Sequence, residues 1–261
     1  MSKSLRHGLT VDAAMNELIH MDLVRSMDFF EQKHYDDAKL ILINLAVDYP
    51  DVSYYQGMNY LVIFCFYTCN RNATMAYWLM SFMVEHCLQA YFGHSFQGLV
   101  KLLFVVDKLL HRIYPTMWHK LAKGGVTSIH FCVPTLITLF TSMIKSEDAY
   151  AYIADIWDAV VARGMYPVVK ALLLLLEVQQ SHLMSLSHED LLLVMKNVEK
   201  DPFAVIRSAG KSTGINRYYA GIGKKFIEVM ELSDATISTM ETFYTRVRRV
   251  INDTWEHADG R

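Results

Sequence analysis

Proline and glycine are scarce in this sequence, at 5 and 12 of 261 residues. An antiparallel all-β chain needs a turn every ~8–12 residues and draws on those two residues to make them, so this class is disfavoured. Cysteine is scarce too. Cys65, Cys69, Cys87 and Cys132 each sit inside an apolar run. They read as reduced, buried thiols of an intracellular protein, without a disulfide framework. An excess of either charge is lacking: the formal net charge is −2, and no positive field points to nucleic acid. Residues 1–16 are mixed polar and carry no apolar stretch of signal-peptide length. The nearest approach to a membrane span is residues 124–144, which hold no Asp, Glu, Lys or Arg. His130, Pro134 and the hydroxyl residues Thr127, Ser128, Thr135, Thr138, Thr141 and Ser142 interrupt it, so a helix buried on all sides fits better. Residues 168–178 are intensely apolar but short, and Lys170 and Glu177 break the run.

What the chain does have is apolar residues, at 52% of the total, enough for one large domain or two small ones with a substantial core. They recur mostly at helical spacing. Met15, Leu18, Ile19, Leu23 and Val24 form one stripe, and Leu40, Ile41, Ile43, Leu45 and Val47 fall in the next. Further helical runs are expected at about 57–69, 74–91, 96–113, 129–145, 148–162, 166–183, 188–197, 216–231 and 234–256. No stretch alternates with period two between turn signals, so the expected fold class is all-α. Breaks are expected at Tyr49-Pro50-Asp51, Asn70-Arg71-Asn72, Gly93, Tyr114-Pro115, Gly124-Gly125, Arg163-Gly164 and Asp201-Pro202. Residues 208–223, with four glycines, could separate a C-terminal helical pair.

Several chemistry signals fail on inspection. Gly210-Lys211-Ser212-Thr213 has the end of a phosphate-binding loop, but Val205 stands where the first glycine belongs and no strand precedes it. Gly93-His94-Ser95-Phe96-Gln97 approximates a nucleophile elbow whose closing glycine comes one residue late, at Gly98. Cys65 and Cys69 lie one helical turn apart with no second ligand pair, which fits packing better than zinc. Arg246, Arg248 and Arg249 make a small basic patch, most simply a solvated helix face.

Two stretches carry more information together than apart. The first is Ile19-His20-Met21-Asp22-Leu23-Val24-Arg25-Ser26 and the second is Ser53-Tyr54-Tyr55-Gln56-Gly57-Met58-Asn59. Asp22 and Arg25, three apart, could be an ordinary exposed ion pair. Ser53 and Gln56 have the spacing of a capping box. In this order, about thirty residues apart, they also resemble the TBC-domain family of Rab GTPase-activating proteins. That family's I-x-x-D-x-x-R motif is matched by Ile19, Asp22 and Arg25, and its Y-x-Q-G-M motif by Tyr54, Gln56, Gly57 and Met58. Downstream, Ile153-Ala154-Asp155-Ile156-Trp157-Asp158 followed by Arg163-Gly164 resembles the family's I-W-D helix and closing glycine.

The resemblance covers about residues 10–200. It implies a two-lobed, V-shaped helical domain filling residues 1–261, with an N-terminal lobe to about residue 120 and a C-terminal lobe after it. It implies that two side chains are supplied in trans to a Rab-family small GTPase. Arg25 would be the arginine finger and Gln56 the glutamine finger. Asp22 would hold Arg25, Tyr54 would support the loop presenting Gln56, and Gly57 would allow close backbone approach. No metal and no cofactor of the chain's own is expected; GTP and Mg²⁺ belong to the partner. The expected place is the cytoplasm, at the periphery of membranes that carry the partner in trafficking. The chain starts 24 residues before Arg25, so other subunits completing the N-terminal lobe are a further expectation. The alternative left open is a catalytically idle TBC-like scaffold or assembly subunit.

Overall fold

The computed structural model describes residues 3–26, 31–93, 96–144, 147–187 and 189–191. Among them there is no strand. The helices are α1 (Ala13–Arg25), α2 (Tyr35–Asp48), α3 (Met58–Thr68), α4 (Ala73–Met83), α5 (Gln89–Phe92), α6 (Gln97–Ile113), α7 (Pro115–Lys123), α8 (Ser128–Thr138), α9 (Glu147–Arg163) and α10 (Tyr166–Ser185). The all-α expectation therefore holds. The helices expected at 216–231 and 234–256 and most of that at 188–197 lie outside the described residues, as do the Gly210 to Thr213 stretch, the glycine-rich 208–223 stretch, Asp201-Pro202, and the arginines at 246, 248 and 249.

Local chemistry sets the helix ends. The Asp12 carboxylate accepts from the Met15 backbone N–H at 2.8 Å and the Asn72 side chain accepts from that of Met75 at 3.0 Å, capping α1 and α4. Pro115 opens α7, where its missing N–H costs nothing. Gly164, in the left-handed region with φ 65°, closes α9 after Arg163.

Two expected helices are subdivided. The 74–91 run is carried by α4 and α5, joined by a wide π turn over Val84–Leu88. The 129–145 run stops at Thr138, because Leu139 and Phe140 both adopt positive φ, 45° and 69°, before a short 3₁₀ turn over Thr141–Met143. Leu139 and Phe140 are fully buried, and Ile129, Phe131, Cys132 and Leu136 around Pro134 are buried as well. No helix among the described residues is long and apolar enough to cross a membrane.

The chain divides into two compact units, each drawn from two stretches. The first comprises Met1–Phe96 with Ile137–Gly164; the second comprises Gln97–Leu136 with the chain from Met165 on. At the centre of the first unit runs α3, with Met58, Asn59 and Leu61 to Phe66 all buried, as an apolar helix without a polar face must be. Ile19 and Leu23 of α1, Ile41, Leu42 and Leu45 of α2, and Tyr77 of α4 complete that core at zero exposure. Residues near the N-terminus are tied to α2: the Arg6 backbone exchanges hydrogen bonds with the Asn44 amide, and its guanidinium pairs with Asp48. In the second unit α6 buries an apolar stripe that includes Leu99, Leu102, Leu103, Val106 and Leu110. There the Lys120 ammonium donates to the carbonyls of Met184 and Leu186 at the end of α10.

Candidate functional site

Helix α1 places Asp22 and Arg25 on one face, in its last turn. Asp22 is 3% exposed, whereas the Arg25 side chain is 39% exposed, with its guanidinium 3.5 Å from the Asp22 carboxylate. The pair is thus a buried anion holding a cation at the surface, and the ordinary exposed ion pair is ruled out.

The second stretch closes on the same carboxylate. The Tyr54 hydroxyl donates to Asp22 Oδ2 at 2.7 Å, and the Gly57 backbone N–H also donates to the Asp22 carboxyl group. Burial pushes the Asp22 carboxyl above the usual aspartate range; the Tyr54 hydrogen bond, the Arg25 charge and the Gly57 N–H oppose that shift without cancelling it. The Tyr54 phenol is pushed up too, by burial first and by the neighbouring Asp22 second. One carboxylate therefore gathers a guanidinium from α1 and both ends of the Tyr54-to-Gly57 loop.

Gly57 has φ 98°, a left-handed conformation that favours glycine, and α3 begins directly after it. A Cβ at Gly57 would stand 3.0 Å from Thr138 Cγ2, so no side chain fits without displacing its neighbours. Ser53 itself has φ 53° and lies five positions before Met58, the first residue of α3. Ser53 and Gln56 therefore cap no helix, and the capping-box reading fails. Gln56 is half-buried, and its amide makes no hydrogen bond among the described residues.

Asn59 received no role in the sequence reading and belongs to this site. Its Nδ2 donates to the Asp22 carbonyl at 3.0 Å and to Ser26 Oγ at 3.2 Å, and Ser26 Oγ donates to the carbonyls of Asp22 and Leu23. This pins the last turn of α1 to the first turn of α3. The available signal was a lone amide in an otherwise apolar helical run.

Elsewhere the fold offers little chemistry. Among the described residues no group of three or more His, Cys, Asp or Glu side chains could hold a metal ion. The four cysteines are buried free thiols whose pKa values burial raises, the opposite of what a nucleophile needs. Gly93 ends α5, so no strand enters the would-be elbow; His94 and Ser95 lie outside the described residues.

The Rab-GTPase-TBC domain family matches residues 4–184. The GTPase-activating protein GYP5 of Saccharomyces cerevisiae is 26% identical over 179 residues, which are 69% of this chain and 20% of that protein. The chain thus matches about a fifth of the length of that relative. The flagellar RabGAP TBC domain of Chlamydomonas superposes with a TM-score of 0.63 at 16% identity, covering 77% of this chain and 68% of that one. The Ypt/Rab-GAP domain of Gyp1p superposes with a TM-score of 0.59 at 13% identity, covering 86% and 76%. The two solved structures share the fold, and the family match spans both the Asp22–Arg25 and the Tyr54–Gly57 motifs: the chain belongs to the Rab-GTPase-TBC domain family.

Proposed function

We propose that the chain accelerates GTP hydrolysis by a Rab-family GTPase, with Arg25 as arginine finger and Gln56 as glutamine finger. The observation that carries this reading is the Asp22 carboxylate, which holds Arg25 on one side and Tyr54 and Gly57 on the other. A buried three-way anchor of this kind ties the helix that carries Arg25 to the loop that carries Gln56.

The chemistry follows from where charge develops. In GTP hydrolysis negative charge builds on the γ-phosphoryl oxygens and the bridging oxygen. A planar, permanently charged guanidinium can donate a forked pair of hydrogen bonds there. The buried Asp22 carboxylate lies 3.5 Å from one terminal guanidinium nitrogen of Arg25, while the Arg25 side chain stays partly exposed to solvent. The Gln56 amide can accept from the attacking water and donate to a neighbouring oxygen at the same time. Its lack of internal hydrogen bonds among the described residues leaves both functions for an incoming partner. GTP and Mg²⁺ arrive with that partner; the chain contributes position and charge. The encounter takes place on the membranes where the GTPase resides.

A set of GTP-loaded Rab-family GTPases, each mixed with catalytic amounts of the chain, tests this. The expected result is faster phosphate release with at least one of them. No acceleration across the whole set, with circular dichroism showing a folded helical protein, overturns it.

A further inference from the structure

The motif around Trp157 takes no part in the proposed chemistry, yet its tryptophan connects to the loop that carries Gln56. Trp157 is buried, its ring packs on Phe64 of α3 with centroids 4.7 Å apart, and its indole N–H donates to the Leu139 carbonyl at 3.3 Å. Leu139 and Phe140 are both in the left-handed region, which bulky side chains occupy only when their surroundings hold them. Their turn ends α8 at Thr138.

The end of α8 is what the glutamine loop rests against. Ile137 is among the last residues of α8, whose carbonyls a helix leaves without internal donors, and the Tyr55 hydroxyl donates to its carbonyl at 3.4 Å. Tyr55 is itself buried, packed on Phe92 and Phe96 at centroid distances of 5.1 and 5.9 Å. On the other side of Gln56, a Cβ at Gly57 would stand 3.0 Å from Thr138 Cγ2 and 3.4 Å from Ile137 Cδ1, so the loop backbone runs close to those side chains. Both sequence neighbours of Gln56 therefore abut the residues that the Leu139–Phe140 turn puts in place.

We propose that Trp157 is a positioning residue for Gln56, acting through the Leu139 carbonyl, the end of α8 and Tyr55. Asp22 anchors the loop from α1, and Trp157 anchors it from α9. The consequence for catalysis rests on the activity proposed above; the mechanical coupling does not.

The test uses the full chain with Trp157→Phe, which keeps an aromatic ring on Phe64 and deletes the indole donor. Tyr55→Phe, which deletes only the hydroxyl, serves as the second variant. Amide hydrogen exchange is expected to rise about tenfold at residues 54–58 in Trp157→Phe and to stay unchanged in α6 and α7. With a GTPase that the wild type stimulates, kcat should fall about tenfold at constant KM. The same substitution should cause no further loss when Gln56 is already alanine. Unchanged loop exchange in both variants overturns the proposal, as does a rise spread evenly over the molecule. An equal kcat loss on the Gln56→Ala background also overturns it, because the effect then bypasses Gln56. If the wild type stimulates no GTPase while loop exchange still rises selectively, the coupling stands and the proposed activity falls.

Discussion

The Tyr54 hydroxyl donates to the Asp22 carboxylate at 2.7 Å, joining α1 to the loop before α3 across 32 positions of sequence, with both side chains buried. Tyr54→Phe keeps the ring and removes this bond. A hydrogen bond to a charged buried group contributes about 1.5–3 kcal/mol. Urea unfolding should register a loss of that order, and the stimulated rate should fall with it.

The raised Asp22 carboxyl gives a pH signature. A carboxyl whose folded pKa exceeds its unfolded value binds protons more tightly in the folded state. Its contribution to stability is therefore greatest below the ordinary aspartate range and declines as pH rises through the folded value. Asp22→Asn should flatten that part of the stability profile measured by denaturant titration. Activity should run the other way, since protonated Asp22 no longer holds Arg25. The rising limb of the rate profile should lie above the ordinary aspartate range, and it should be absent from Asp22→Asn.

Gly57→Ala places a Cβ 3.0 Å from Thr138 Cγ2 at a φ of 98°. The left-handed conformation alone costs a non-glycine residue roughly 1–2 kcal/mol. Thermal unfolding should shift downward, and the loop should exchange its amides faster. A fully stable, fully active variant would show that the loop geometry is not needed.

Gln56→Ala separates position from packing. With no internal hydrogen bond to lose among the described residues, the substitution should leave the unfolding midpoint nearly unchanged, within about 0.5 kcal/mol, while lowering the stimulated rate sharply. A stability loss with an intact rate per folded molecule would assign Gln56 a structural role instead.

Most of the first unit was legible in the sequence because its helices are long, periodic and punctuated. Tyr49-Pro50 ends α2 and Arg163-Gly164 ends α9 where spacing and turn chemistry place them. The pairing of Asp22 with Arg25 was legible too, since three positions on a helix put both on one face. Two features were not. The stop at Leu139 and Phe140 leaves no local signal: neither residue favours positive φ, and the turn is held by tertiary contacts such as the Trp157 indole. The burial of Asp22 was equally invisible, because an i,i+3 ion pair reads the same at the surface as in the core. Only the approach of Tyr54, Gly57 and Asn59 makes it a site.

The account turns on Arg25 as a transferred charge, and single-turnover phosphate release from a responsive GTP-loaded Rab-family GTPase tests this most directly. Arg25→Ala should lower the stimulated rate by about 10³-fold or more, the scale of an arginine finger. Arg25→Lys should recover little of it, because an ammonium cannot make the forked contact. Equal stimulation by the wild type and Arg25→Ala, with both proteins folded, would contradict the account.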